Sequence, residues 1–265
     1  MPASDGLIGD MLAIALEAGA LAMADWAEGR PAERQWEKLP GEPVSEADLA
    51  VDALLRARLG ALLPEAAWLS EESVETPGRS EARLAWLVDP IDGTRDFVRG
   101  RAGWSISVAL AENGVVTAGV LVAPARGERW WAVRGQGAYR NEARLAVGDQ
   151  ATLEGARVPL DDLRRVDMPY VLVPKPNSIA LRMAMVAADE ADMVAGLRRG
   201  AEWDIAAASL IAQEAGATVT DVLGEPIVYN KPDPHVVGML CAVPALHAAA
   251  LRRLHKRALK LLGGD

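Results

Sequence analysis

The chain has 265 residues, with 28 Lys and Arg against 37 Asp and Glu for a formal net charge of −9, 51% hydrophobic residues, 24 Gly, 16 Pro and one Cys. This composition excludes a disordered chain, a collagen-like repeat and a disulfide framework, and the lone cysteine points to a reducing, cytoplasmic setting. The acidic balance argues against binding a nucleic-acid polymer, and a small anionic substrate would need metal ions or helix N-termini to overcome it.

The apolar run over residues 7–26 is interrupted by Asp10, Glu17 and Asp25 and has no Lys or Arg before it. It predicts an amphipathic helix capped by Asp5, with no membrane span and no signal peptide. Residues 30–43, rich in Pro, Gly and charge, predict a loop. A helix follows to about residue 63, with Ser45 as N-cap and Asp48 at the capping-box position. Apolar segments at 67–69, 84–88, 105–110, 115–122 and 130–133 predict strands, with Glu112-Asn113-Gly114 as a hairpin turn. Gly135-Gln136-Gly137 reads as a turn and not as a phosphate loop, because no strand-to-helix passage follows it.

In the second half, helices are predicted over 178–188 and 204–215, and strands over 191–194, 217–222 and 236–243, the last burying Cys241 as a small hydrophobe. A C-terminal helix over 245–262 carries Arg252, Arg253, Lys256, Arg257 and Lys260 as a solvated basic face. No repeat or linker divides the chain. The expectation is one domain over 1–265, made of two packed halves at about 1–148, with the large sheet and metal site, and 149–265 on the substrate side.

The chemistry concentrates where acids adjoin apolar strands. In Asp89-Pro90-Ile91-Asp92-Gly93-Thr94 two carboxylates lie three residues apart, with Pro fixing a turn and Gly admitting close backbone approach. Such neighbours repel unless a cation lies between them, and Mg²⁺ prefers an oxygen-only environment. Ser70-Glu71-Glu72-Ser73, Val44-Ser45-Glu46-Ala47-Asp48 and Glu202-Trp203-Asp204 are the other acidic places. His235, His247 and His255 lie late in the chain, away from all of these, so no His or Cys nucleophile is expected.

Together these segments resemble the motifs of the inositol monophosphatase superfamily, Mg²⁺-dependent and lithium-sensitive phosphatases, over nearly the whole chain. The similarity rests on Asp89 to Thr94, on Ser70-Glu71-Glu72, on Trp203-Asp204-Ile205-Ala206-Ala207, on Val44 to Asp48 and on Gly135 to Asn141. It implies a layered α/β fold, an alternating α-β-α-β-α sandwich with the site where two halves meet. It also implies two or three Mg²⁺ ions on Glu71, Asp89, the Ile91 carbonyl, Asp92 and Asp204, with Glu72 beside them. Asp48 and Thr94 would form a dyad that takes a proton from the attacking water, and the amides of Gly93 and Thr94 would hold the phosphate.

Within the superfamily, Arg95-Asp96-Phe97, Glu202 before Trp203-Asp204, and Asn177-Ser178-Ile179-Ala180-Leu181 are similar to 3'(2'),5'-bisphosphate nucleotidases. Leu197 stands seven residues before Asp204, where many inositol monophosphatases place a glutamate. The nucleotidases' Ser-Arg-Ser-His segment has no counterpart in Val171 to Pro176, and Lys175, Arg198 and Arg199 are candidates to replace it. The expected substrate contacts are Gly93, Thr94, Arg95, Asn177, Ser178 and Glu202, and the expected ligand is a small phosphorylated metabolite such as 3'-phosphoadenosine 5'-phosphate. The alternatives are an inositol-1-phosphate or other sugar-phosphate phosphatase, or a catalytically weak binding protein on the same fold. The resemblance implies no membrane partner and allows a homodimer.

Overall fold

The structure, a computed structural model, describes residues 5–160 and 170–261. Helix α1 (Asp5–Ala24) leads to a hairpin of β1 (Gln35–Leu39) and β2 (Glu42–Ser45), then α2 (Glu46–Leu62), β3 (Ala67–Ser70) and β4 (Leu84–Asp92). The single turn α3 (Thr94–Phe97) precedes β5 (Ser105–Glu112), β6 (Val115–Ala123), β7 (Glu128–Val133), β8 (Ala138–Arg140) and β9 (Ala143–Arg144). The remainder comprises β10 (Arg157–Val158), β11 (Val171–Leu172), α4 (Ile179–Ala187), β12 (Met193–Gly196) and β13 (Gly200–Ala201). It closes with α5 (Glu202–Glu214), β14 (Thr218–Thr220), β15 (His235–Val236), β16 (Met239–Ala242) and α6 (Pro244–Leu261).

Strands β3 to β9 form one sheet in sequence order, parallel between β3 and β4 and antiparallel elsewhere. Because side chains alternate along a strand, β4 feeds two cores. Trp86 and Val88 join α1 and α2 on one face, while Ala85 and Leu87 meet α4 and α5 on the other. A second sheet, ordered β12-β16-β14, packs against α4 and α5, with α6 against β16. The expected α-β-α-β-α layering is therefore present. Helix α1 is long and apolar enough to cross a membrane by composition, but Met11, Ala15, Ala18 and Ala22 are buried in the core beside the large sheet. The Asn113-Gly114 turn has φ of 50° and 79°, the left-handed pair that a two-residue hairpin requires.

Three expectations need correction. The supposed loop over 30–43 holds β1 and the first two residues of β2, which pair as a hairpin; all five residues of β1 are exposed, so no buried face marks it in the sequence. Residues 236–243 do not form one strand: Gly238, at φ 66°, separates β15 from β16, and the two pair in different sheets. The strand expected over 217–222 is confined to Thr218–Thr220. The side chains of Asp5, Lys256, Arg257 and Lys260, and all of residue 262, lie outside the described residues.

Candidate active site

The site is built where β4 ends. Asp89 pairs with Ser107 and Asp92 with Ser105, so β4 carries one residue more than β5 across this interval. In an unbroken strand, residues three apart point to opposite faces; the extra residue of this bulge brings both carboxylates to the same side. Pro90, which has no N–H to donate, sits within the bulge. The Ile91 amide donates to Asp89 Oδ1 at 3.0 Å and tightens the turn.

Parallel pairing of β3 with β4 sets Ser70 opposite Val88, which delivers Glu71 beside Asp89. From across the sheet, the first turn of α5 presents Asp204. One oxygen from each of Glu71, Asp89 and Asp204 lies within 4.8 Å of the others. Burial, then the charges of Glu71, Asp92 and Asp204, push the Asp89 carboxyl well above the usual range, and burial with Asp92 and Glu71 does the same to Asp204. Three hard oxygen donors that destabilise one another's ionised forms fit a hard divalent cation such as Mg²⁺.

Asp92 has a different environment. Its carboxylate accepts from Ser178 Oγ at 2.5 Å, from the Ala180 amide at 2.7 Å and from the Ile179 amide at 3.2 Å, binding β4 to the start of α4. Burial still raises it to about 6, against these hydrogen bonds and the charge of Arg182. It borders the three-oxygen cluster without joining it.

Asp48, third residue of α2, accepts on Oδ2 from the Ser45 amide at 2.8 Å and Ser45 Oγ at 2.6 Å. Its Oδ1 accepts from Thr94 Oγ1 at 3.2 Å, and the same hydroxyl points to the Ile91 carbonyl at 3.0 Å. The expected Asp48–Thr94 pair is thus in contact. Burial lifts Asp48 to about 6 although the Ser45 bonds oppose it. Gly93 precedes Thr94 at φ 96°, and a Cβ there would stand 2.7 Å from the Ser178 amide nitrogen and 2.8 Å from the Gly103 carbonyl. Only glycine fits this crossing.

Glu72 is partly buried and raised to about 7, by burial first and against the pull of Lys38. Lys38, on the exposed strand β1, donates to Glu71 at 3.1 Å and also to Glu72. Burial works to lower its pKa, but the charges and bonds of the two glutamates outweigh that and hold it raised. Sequence reasoning missed Lys38 because it missed the hairpin; the Pro40-Gly41 turn was the available signal.

Among the expected substrate contacts, Arg95 lines a cleft of about 940 Å³ that starts at Asp204 and is walled by Ile179, Leu197 and Met239. Its guanidinium also donates to the Gly41 carbonyl at 2.7 Å. Arg182, Arg198, Arg199 and Arg253 line the same cleft. Asn177, Ser178 and Glu202 are not among its lining residues. The Asn177 amide donates to Asp96 and its carbonyl accepts from Arg182; Ser178 is the buried N-cap of α4, accepting from the Leu181 amide at 2.9 Å. Glu202 is fully buried and accepts from the Asn230 amide, the Lys231 amide and Lys231 Nζ. Lys175 is likewise absent from the cleft lining. The amides of Gly135 and Gly137 each donate at 2.8 Å to the Glu214 carboxylate, so this turn holds the end of α5.

Residues 8–260 match the model of the inositol monophosphatase family. A Streptomyces griseus protein named glucose-1-phosphate thymidylyltransferase is 38% identical over 74% of this chain and 78% of its own. The 3'(2'),5'-bisphosphate nucleotidase CysQ of Aggregatibacter actinomycetemcomitans is 32% identical over 73% of this chain and 77% of its own. A histidinol-phosphatase of Mycobacterium tuberculosis is 33% identical over 80% and 85%. The solved structure of a Thermotoga maritima IMPase superposes with a TM-score of 0.80 at 28% identity, covering 95% of this chain and 97% of that one.

Proposed function

The chain belongs to the inositol monophosphatase family and is a phosphoric monoester hydrolase, and from that premise we propose that it is Mg²⁺-dependent and acts on a small substrate carrying a second anionic group, with 3'(2'),5'-bisphosphate nucleotides as the favoured class. The observation that carries the substrate reading is the cleft running from Asp204 past five arginines between apolar walls. Guanidiniums suit phosphate oxygens, and an apolar slot suits a flat base better than a ring of hydroxyls. Ser178 and Glu202 add no support to this reading, because their side-chain oxygens are engaged within the protein.

Glu71, Asp89 and Asp204 would hold Mg²⁺, with the Ile91 carbonyl and Asp92 at the edge of the site. When bound, it lowers the pKa of a coordinated water and neutralises phosphate oxygens. Thr94 Oγ1 donates its one hydrogen toward Asp48 and Ile91 O, so its lone pairs face outward as acceptors. A water donating to Thr94 passes its proton along this pair toward Asp48 as it attacks. Gly93, fixed by its crossing with Ser178 and Gly103, sets the backbone that would cradle the phosphate at Thr94. The buried thiol of Cys241, pushed up to about 12, takes no part, and its reduced state suits the cytoplasm.

The test compares kcat/KM for phosphate release from 3'-phosphoadenosine 5'-phosphate, inositol 1-phosphate and histidinol phosphate in Mg²⁺. At least a tenfold preference for the bisphosphate is expected, the scale of one well-made charged contact. Preference for inositol 1-phosphate or histidinol phosphate would move the substrate assignment to that class.

A further inference from the structure

Two irregular segments supply or flank opposite sides of the acidic cluster. The segment between β3 and β4 carries Glu71 and Glu72 and includes only one 3₁₀ turn, Arg79–Glu81. The segment between β14 and β15 ends against the start of α5, where the Glu202 amide donates to the Pro234 carbonyl at 2.9 Å. A chain of buried polar contacts joins them. Arg79, its side chain 1% exposed, donates to Asn230 Oδ1 at 2.8 Å and to the Lys231 carbonyl at 2.9 Å. Asn230 Nδ2 returns a bond to the Arg79 carbonyl at 3.0 Å, and the Asn230 amide donates to Glu202. Glu202 lies two residues before Asp204.

Arg79 and Glu202 are buried charges, each compensated by a more exposed partner, Glu75 and Lys231. Buried charge pairs contribute little net stability because desolvation offsets their attraction, and their best-attested use is to fix one arrangement of the chain over its neighbours. We propose that Arg79, Asn230 and Glu202 are positioning residues of the metal centre, a clamp that holds Asp204 on α5 at its working distance from Glu71 on the β3–β4 segment. The clamp rests on the metal reading above. It acts through the backbone on either side, since none of its three members belongs to the carboxylate cluster or the cleft lining.

Asn230→Gly is the sharpest test. Asn230 sits at φ 59°, which glycine adopts freely, so the backbone and its N–H to Glu202 survive while the side-chain link to Arg79 is cut. Metal binding is read without substrate, as the Mg²⁺ concentration at the midpoint of an isothermal binding titration. Asn230→Gly is expected to raise that concentration about tenfold, the usual cost of losing support behind a ligand. Arg79→Lys, which keeps the charge without the planar fork, should fall in between. Val219→Ala, in β14 and outside the clamp, serves as a destabilised control whose Mg²⁺ midpoint stays at the wild-type value. An unchanged midpoint in Asn230→Gly, or an equal shift in Val219→Ala, overturns the clamp. A wild-type protein without any Mg²⁺ response overturns the metal reading itself, which is a different result.

Discussion

The starts of α4 and α5 each carry an aspartate at a helix N-terminus, yet the two carboxylates do different things. At α4, Asp92 arrives from β4 and accepts three hydrogen bonds, from Ser178 Oγ and the Ile179 and Ala180 amides. These are donors the helix cannot satisfy internally, so Asp92 acts as a cap supplied by another element. At α5, Asp204 belongs to the helix itself and receives the Ala201 amide at 3.3 Å. Its neighbour Glu202 takes the strong donors instead. Three donors tie Asp92 to the scaffold at the edge of the site, whereas Asp204, with one donor at 3.3 Å, keeps more of its carboxylate open to a cation.

Substitution breaks this comparison most directly. Asp204→Asn should abolish the rise in melting temperature with Mg²⁺ and turnover with it, while the metal-free protein melts no lower than wild type, because one repelling charge has gone from beside Glu71 and Asp92. Asp92→Asn should lower the metal-free melting temperature, since an amide nitrogen facing the α4 amides leaves buried donors unsatisfied. That costs about 1–3 kcal/mol, or roughly 2–12 °C for a chain of this size. If the two variants behave alike in EDTA, the division between scaffold and site carboxylates is wrong.

Thr94→Ala separates chemistry from metal binding inside the same turn. Loss of a proton-handling group typically costs about 10²–10⁴ in rate, and the hydroxyl that goes touches Asp48 and the Ile91 carbonyl, not the carboxylate cluster. The expected result is a fall of that size in kcat with an unchanged Mg²⁺ midpoint in an isothermal binding titration. An unaffected kcat removes Thr94 from the reaction.

The same comparison explains what the sequence made legible. Asp89 to Thr94 could be read because strand, bulge and glycine crossing all lie within six residues, so local chemistry reports the local geometry. The layered fold was legible through the family resemblance of the motifs, and the structure shows the physical reason: Leu84 to Val88 is apolar on both faces and is covered on both sides. The partners of Glu202 were not legible, because Asn230 and Lys231 lie 28 and 29 residues away. Nothing in Glu-Trp-Asp says which acid turns inward. Lys38 was invisible because its strand has no buried face to leave a period in the sequence.

The smallest expected effect is a pH dependence, and its sign follows from the carboxylates alone. Asp48 and Asp92 rise from 3.8 to about 6, and Glu72 from 4.5 to about 7, all chiefly through burial, and Asp89 and Asp204 are also raised, by burial first. A group whose native pKa lies above its unfolded value binds protons more tightly when folded, so its stabilising contribution is complete below the unfolded pKa and disappears as pH rises through the native one. In EDTA this contribution is therefore full below about 4 and largely gone by about 7 for Asp48, Asp92 and Glu72. A divalent cation binds the ionised carboxylates and competes with those protons, so its stabilising effect must grow over the same interval. The difference in melting temperature between Mg²⁺ and EDTA, taken at each pH from 5 to 8, cancels titrating groups remote from the site. It should increase with pH in the wild type and lie flat near zero in Asp204→Asn. A difference that is constant with pH in the wild type would mean that the cation meets carboxylates already ionised, and that burial does not hold protons on them.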